Sequence, residues 1–527
     1  MMIGRNFGNV KIGSIILVLL LVFGFAVAVF PAIRTTKAAT SSWTLVTNAR
    51  PMKAYPNLLE SVWQANATMA PNGPYDKIQL HRLVQAGVTP QGVVFIIGCP
   101  VWGTGTFMIS NPATDNWTKT ENYSQAIFWA NRGFDVYAID FRTFFIPAGL
   151  NFSQMSFMAN WGWDQWVSDI KQAADQVKAV SGAGKFFMVG QCTGAEAALN
   201  YATKYWQTDL KGIILEDLNF QGVTPYPVVG NPVGTNSYNL TQTISNMNAT
   251  NSYAAPASVG FVLVQAILSY ALQNPGAPAQ YPPGTPLQPT INPKTNATWN
   301  NITEYVGAWI QNGLGNPVPP GWYSNINGGV GNVTQIEYCF ANQEVLPNRL
   351  QLENVAMADW INCPYMTYDY NDHYKEIGVP ILAFGGGISA NFTGTFNWVR
   401  GTASSDFAGV MLNNYGHLDV FFGTNSAKDV SQPALNWMVS HYQPPSASAF
   451  CSVSVMRGQT WMFFVQVSKG TAPYKFQWYE GGAPIAGQTD MVLSIAKTVS
   501  GTYTYYCQIT DADGTVINSN TVTLTVT

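Results

Sequence analysis

The sequence predicts a mostly parallel α/β sheet covered by helices on both faces, followed by a separate all-β module. Three observations carry this reading. Short, continuous apolar runs alternate with stretches of helical period between Gly92 and Leu215. A long insertion rich in Pro, Asn and Gly, 220–375, interrupts the alternation before it resumes at Val379. Beyond Gln443, apolar and polar residues alternate between turn signals, the pattern of half-buried antiparallel strands.

The elements follow in chain order. Residues Ser41 to Gln91 form a mixed, aromatic-containing lead-in that reads as early strands of the sheet. Gly92–Gly98 (GVVFIIG), Phe134–Asp140 (FDVYAID), Lys185–Gly190 (KFFMVG) and Leu210–Leu215 are apolar runs of strand length, as strands buried on both faces require. Between them, Trp166, Ile170, Ala173, Ala174 and Val177 recur at helical spacing, and Gly194–Tyr205 reads as a small-residue helix. The insertion contains one apolar helix, Ala254–Leu272, and is expected to cap the site, because structureless loops of that length are rare. Val379–Phe384 and Phe407–Leu412 return to the sheet, and Val430–Ser440 closes the domain as a helix. The boundaries expected are 1–40 for a targeting segment, 41–442 for the α/β domain, 443–448 for a linker and 449–527 for the all-β module.

Hydrophobic residues make up 47% of the 527 residues and charged ones only 10%, against roughly 25% in ordinary soluble domains. A net charge of −3 without a basic run past the first residues gives no basis for binding nucleic acid. Ile12–Phe30 is an uninterrupted apolar run behind Arg5 and Lys11, which predicts export through a cleaved signal or an uncleaved membrane anchor. Ten N-x-S/T sequons, all before Pro444, agree with an extracellular or cell-surface location.

The sharpest chemical signal is Gly190-Gln191-Cys192-Thr193-Gly194, between a predicted strand and a predicted helix. It has the form of a nucleophile elbow with Cys in the place usual for Ser. Flanking glycines suit a strained turn that larger neighbours would clash with, and the helix N-terminus favours a thiolate. The Thr193 N–H is a candidate oxyanion donor. His417, after the last strand, is the candidate general base. No grouping has metal-ligand spacing and no glycine-rich phosphate loop follows a strand, so neither metal nor cofactor is expected.

With these residues in view, 92–438 resembles the α/β-hydrolase superfamily. The stretch Tyr415-Gly416-His417-Leu418-Asp419 with Val420 to Gly423 is similar to acid-lipase and esterase-like members. The resemblance implies ester hydrolysis by a triad, on a small-molecule, lipid or polymer substrate. The loop where many members carry the acid, Gly385 to Asn391, has no carboxylate. Relatives that place the acid one strand earlier point to Asp217, with Glu216 as the fallback. The position of the oxyanion loop falls on Gly98-Cys99-Pro100, which makes the Cys99 N–H the second donor and sets its thiol near Cys192, within possible reach of oxidation. Thiol elbows also occur in dienelactone hydrolases and polyhydroxyalkanoate synthases, so acyl transfer stays open beside hydrolysis, as does a catalytically inactive adhesion protein. The C-terminal module resembles Ig-like modules of microbial surface proteins through Trp478 and Ser500-Gly501-Thr502-Tyr503, which implies attachment to a surface or polymer. Tyr505 stands where an Ig core cysteine would be, with Cys507 one inward step later.

Overall fold

The computed structural model describes residues 43–69, 73, 75–98, 118–147, 154, 157, 163–218, 260–287, 291–292, 297–311, 321–342, 370–389, 399, 402–442, 444–450, 452–470, 474–511 and 513–527. Ile12–Phe30 and Cys99 lie outside them. Among the described residues no helix is long and apolar enough to cross a membrane.

Nine strands form the main sheet. They are β1 (Thr44–Pro51), β2 (Leu58–Asn66), β3 (Lys77–Gln85), β4 (Val93–Ile97), β5 (Asp135–Asp140), β6 (Phe186–Gln191), β7 (Leu210–Glu216), β10 (Ile381–Gly386) and β11 (Phe407–Leu412). β8 (Ile291–Asn292) and β9 (Ala297–Thr298) are a small antiparallel pair inside the insertion. The sheet order is β1-β2-β3-β5-β4-β6-β7-β10-β11, antiparallel from β1 through β5 and parallel from there onward. The lead-in therefore supplies the antiparallel edge.

Every residue of β4, β5, β6 and β10 is buried, because both sheet faces are covered. Successive side chains enter opposite cores. Val94, Ile96, Phe187 and Val189 pack on one side, and Phe95, Ile97, Phe186 and Met188 on the other. Helices α1 (Gln125–Ala130), α2 (Trp163–Ser181) and α3 (Thr193–Asp209) connect the first parallel strands. Val167, Ile170, Ala174 and Val177 fall on one stripe of α2 and are buried, each Val or Ile contributing roughly 1.5–3 kcal/mol.

The insertion contains α4 (Gly260–Gln273), α5 (Ile302–Gln311) and α6 (Val333–Asn342). Leu268, Ile302, Val306 and Ile336 join the same core as Val94 and Val189, so the insertion's packing is continuous with one face of the sheet. Two more helices, α7 (Asp419–Phe422) and α8 (Gln432–His441), close the domain, with one π turn at Ala427–Ser431 between them.

Two sheets build the C-terminal module around one core of Phe463, Val465, Trp478, Leu493, Tyr505, Cys507 and Ile509. One contains β12 (Ser446–Ala449), β14 (Thr460–Ser468) and β17 (Val492–Ala496). The other contains β13 (Val453–Val455), β15 (Lys475–Glu480), β16 (Ala483–Pro484), β18 (Gly501–Thr510), β19 (Val516–Asn518) and β20 (Val522–Val526). Tyr505 and Cys507 both point inward on β18, and Cys507 is a free thiol whose pKa burial raises to about 11. Within the expected linker 443–448, β12 begins at Ser446, which pairs with Ser468 of β14.

This module is docked against the α/β domain. Asp513 is buried between Lys185 and Lys211, at 3.3 and 3.5 Å. The approach is so close that a Cβ on Gly184 would fall 1.7 Å from the Asp513 carbonyl oxygen.

Candidate active site

Cys192 stands between β6 and α3 with φ 53° and ψ −127°, an unfavourable conformation for a residue with a side chain. The turn is held by the Cys192 N–H donating to the Glu216 carbonyl (3.0 Å) and the Ala195 N–H donating to the Cys192 carbonyl (2.9 Å). The two glycines are sterically required. A Cβ at position 190 would lie 2.5 Å from Ala195 Cα, and one at position 194 would lie 2.2 Å from the Ile97 carbonyl oxygen. Thr193 opens α3 with its hydroxyl 3.7 Å from Cys192 Sγ. Cys99, the other expected oxyanion donor, lies outside the described residues; β4 leads to it through Gly98, whose carbonyl borders Gly194.

His417 sits in the turn between β11 and α7, where it hydrogen bonds to the Cys192 side chain and, through Nδ1, to Asp217 Oδ2. Burial disfavours its cation, but the Cys192 sulfur and the Asp217 carboxylate outweigh burial and hold its pKa well above the usual histidine value. Asp217 follows β7 at φ 48°. Its other oxygen accepts from the Gly386 N–H and the Ser389 hydroxyl, both at 2.8 Å. The carboxylate-free loop after β10 thus supplies the donors that hold a carboxylate carried by the neighbouring strand. Gly386 is needed there, since a Cβ would lie 2.7 Å from both Ser389 Oγ and the Tyr415 carbonyl oxygen.

Glu216, the fallback acid, points elsewhere. Its carboxyl is fully buried and accepts from Gln125 Nε2 (2.6 Å) and Gln191 Nε2 (2.8 Å). The reason is the strand period: adjacent residues on β7 face opposite ways until the turn at Asp217 frees that side chain toward His417.

Sequence reasoning missed the brace around the histidine turn. The His417 and Leu418 N–H groups donate to the Trp322 and Tyr323 carbonyls at 2.9 and 2.8 Å. The Trp322 ring stacks at 5.7 Å from the imidazole, while Phe421 meets it edge-on at 5.7 Å. Asp419 accepts from Ser324 Oγ, the Asn325 N–H and the Gly416 N–H at 2.7–2.8 Å, tying insertion to turn. The Asp419 within the Y-G-H-L-D stretch was the available signal; its partners nearly a hundred residues away were not. His373 contacts Glu376 at 2.9 Å, remote in role from this cluster. Among the described residues no group of three or more His, Cys, Asp and Glu side chains is arranged to hold a metal ion.

No protein-family model and no curated protein matches the chain. Solved structures do. A protein of Sulfolobus solfataricus with a provisional lipase assignment is 27% identical, with a TM-score of 0.54 over 76% of this chain and 99% of its own. A thermophilic esterase from Thermogutta terrifontis is 14% identical with a TM-score of 0.34, covering 71% of this chain and 97% of its own. A soluble variant of monoglyceride lipase from Saccharomyces cerevisiae is 13% identical with a TM-score of 0.33, over 69% and 92%. Together with the strand order and the doubly covered parallel sheet, the first of these likenesses shows that the chain has the α/β-hydrolase fold, to which a strand-rich all-β module is joined.

Proposed function

We propose that this chain is an exported hydrolase of carboxylic ester or thioester bonds that works through an acyl-enzyme on Cys192. The single observation that carries the reading is His417 joined to Cys192 on one side and to Asp217 on the other. In that arrangement Sγ attacks the substrate carbonyl and the oxyanion forms beside the N-terminus of α3, near the Thr193 N–H. His417 takes the thiol proton on Nε2 as Sγ attacks and passes it to the leaving alcohol or thiol; it then takes a proton from the water that attacks the acyl group and returns it to Sγ as the acid departs. Asp217, held by Gly386 and Ser389, fixes Nδ1 as the protonated nitrogen throughout. The lipase description of the Sulfolobus solfataricus structure supports ester or lipid substrates.

Export is part of the same proposal. It rests on the apolar run Ile12–Phe30 and on sequons at the exposed positions Asn66, Asn122 and Asn332. The test is hydrolysis of p-nitrophenyl esters of increasing acyl length by the purified chain, with intact-mass detection of acylated Cys192. Turnover that survives in Cys192→Ala would overturn the assignment. Acyl transfer to an added alcohol in preference to water would redirect it to an acyltransferase.

A further inference from the structure

The turn that carries His417 is held from the insertion side. Gly321, at φ 86°, donates its N–H to the Gln311 carbonyl at the end of α5 (3.1 Å) and starts a segment that runs along 414–424. Besides the bonds to the backbone of Trp322 and Tyr323, Asn325 Nδ2 donates to the Asn414 carbonyl at 2.9 Å and the Thr424 N–H to the Val330 carbonyl at 2.8 Å. The two segments fit without spare room. A Cβ at position 416 would lie 2.8 Å from the Gly321 carbonyl oxygen and 2.9 Å from that of Trp322. The imidazole is therefore placed by the insertion as well as by the sheet.

Trp322 adds something that backbone bonds do not. Its ring lies 5.7 Å from the imidazole with the planes 27° apart, so the indole presents its face. The Tyr323 ring lies at 5.8 Å and 35°, nearly parallel to that of Trp322. An electron-rich indole face within about 6 Å attracts a cation, and His417 is a cation between taking the thiol proton and releasing it. The charged groups that act on the imidazole are the Cys192 sulfur at the start of α3 and the Asp217 carboxylate after β7. The remaining titratable groups around the turn are engaged elsewhere: Asp419 with Ser324, Asn325 and Gly416, Glu216 with Gln125 and Gln191, and Tyr415 with Asp429.

We propose that Trp322 is a positioning residue whose indole face backs the His417 ring and favours its protonated form, so that the insertion supplies one wall of the base. The role belongs to the side chain, since the Trp322 carbonyl that accepts the His417 N–H survives any substitution. A ring that only filled space would contribute to stability and leave the titration of His417 where it was. This inference rests on the reading of Cys192, His417 and Asp217 as the reacting groups.

The test uses the full chain with Trp322→Leu, which removes the π face, and Trp322→Phe, which keeps a smaller one. The imidazole is titrated by NMR on isotope-labelled histidine; the chain has four histidines, and the His417 signal is the one lost in His417→Gln. In Trp322→Leu the midpoint should fall by about half to one pH unit, the size of a cation–π contact read as a titration shift, and in Trp322→Phe by less than half as much. At pH 7, kcat/KM for p-nitrophenyl butyrate should fall about three- to tenfold in the Leu variant and stay within about twofold in the Phe variant. Trp322→Met, a flexible apolar filler, replaces the Leu variant if that chain does not fold. A midpoint unmoved in the Leu variant, an equal shift in the Phe variant, or wild-type turnover in both would overturn the proposal. Hydrolysis that persists in Cys192→Ala would instead defeat the functional reading, and the titration, which needs no substrate, would still decide for Trp322.

Discussion

Replacing Asp217 with Asn tests the proposed chemistry most sharply, because the structure limits what the amide can do. One oxygen of Asp217 faces His417 Nδ1 and the other takes the Gly386 N–H and the Ser389 hydroxyl at 2.8 Å. An Asn oxygen turned toward His417 keeps the tautomer but sets an NH2 against the Gly386 N–H. That buried donor is then unpaired, at a cost of about 1–3 kcal/mol. The opposite rotamer keeps the Gly386 bond but donates to Nδ1, so Nε2 carries the proton and His417 is no longer a base toward Sγ. In the serine-protease case that tautomer error costs roughly 10⁴-fold in kcat. The Asn variant populates whichever rotamer is less unfavourable, so kcat/KM should fall about 10²- to 10⁴-fold, or about 2.7–5.4 kcal/mol of transition-state stabilisation. The assay is initial-rate hydrolysis of p-nitrophenyl butyrate beside a thermal melt. A variant within threefold of wild type, at an unchanged Tm, would refute the reasoning.

Three other outcomes are expected. Gly194→Ala forces a Cβ to 2.2 Å from the Ile97 carbonyl, and should cost about 3 kcal/mol or more and abolish turnover; a normal melt with normal activity would contradict this. His81 lies between Asp140 (3.0 Å) and Glu60 (3.2 Å); burial opposes its cation, but the two carboxylates raise its pKa to about 10. Its stabilisation is therefore complete below the unfolded value of about 6.5 and lost as pH rises toward about 10, so Tm should decline across that window and His81→Gln should flatten the slope. A chain ending at Tyr442 loses the Asp513 contacts with Lys185 and Lys211 and should melt lower, while it still hydrolyses soluble esters; an unchanged Tm would show that docking adds no stability.

The sheet was legible because burial on both faces leaves each strand as an unbroken apolar run, as in β4 and β6. The turn at Cys192 was legible because it places both glycines within two residues of the thiol, visible as G-x-C-x-G, although only Gly190 is fixed by local contacts and Gly194 by the distant Ile97 carbonyl. Asp217 was reached only through the resemblance, from relatives that carry the acid one strand earlier, because the loop after β10 has no carboxylate. What that loop does instead, donating from Gly386 and Ser389, needs neighbours that chain order does not reveal. The aromatic brace at Trp322 was illegible for a similar reason: it lies in an irregular, Pro- and Gly-rich stretch whose backbone is ordered by bonds to a turn far along the chain. Glu216 and Asp217 were separated by rank alone in the sequence. The turn after β7 separates them physically, sending one carboxyl into the core and the other to the imidazole.

The docked module also fixes a direction. Lys185 and Lys211 stand at the beginnings of β6 and β7, and the ends of the same two strands deliver Gln191-Cys192 and Glu216-Asp217. A six-residue strand spans roughly 20 Å, so the module and the thiol sit at opposite ends of a stiff, fully hydrogen-bonded rod. Force applied to the module would therefore load the same two strands on which Cys192 and Asp217 are mounted.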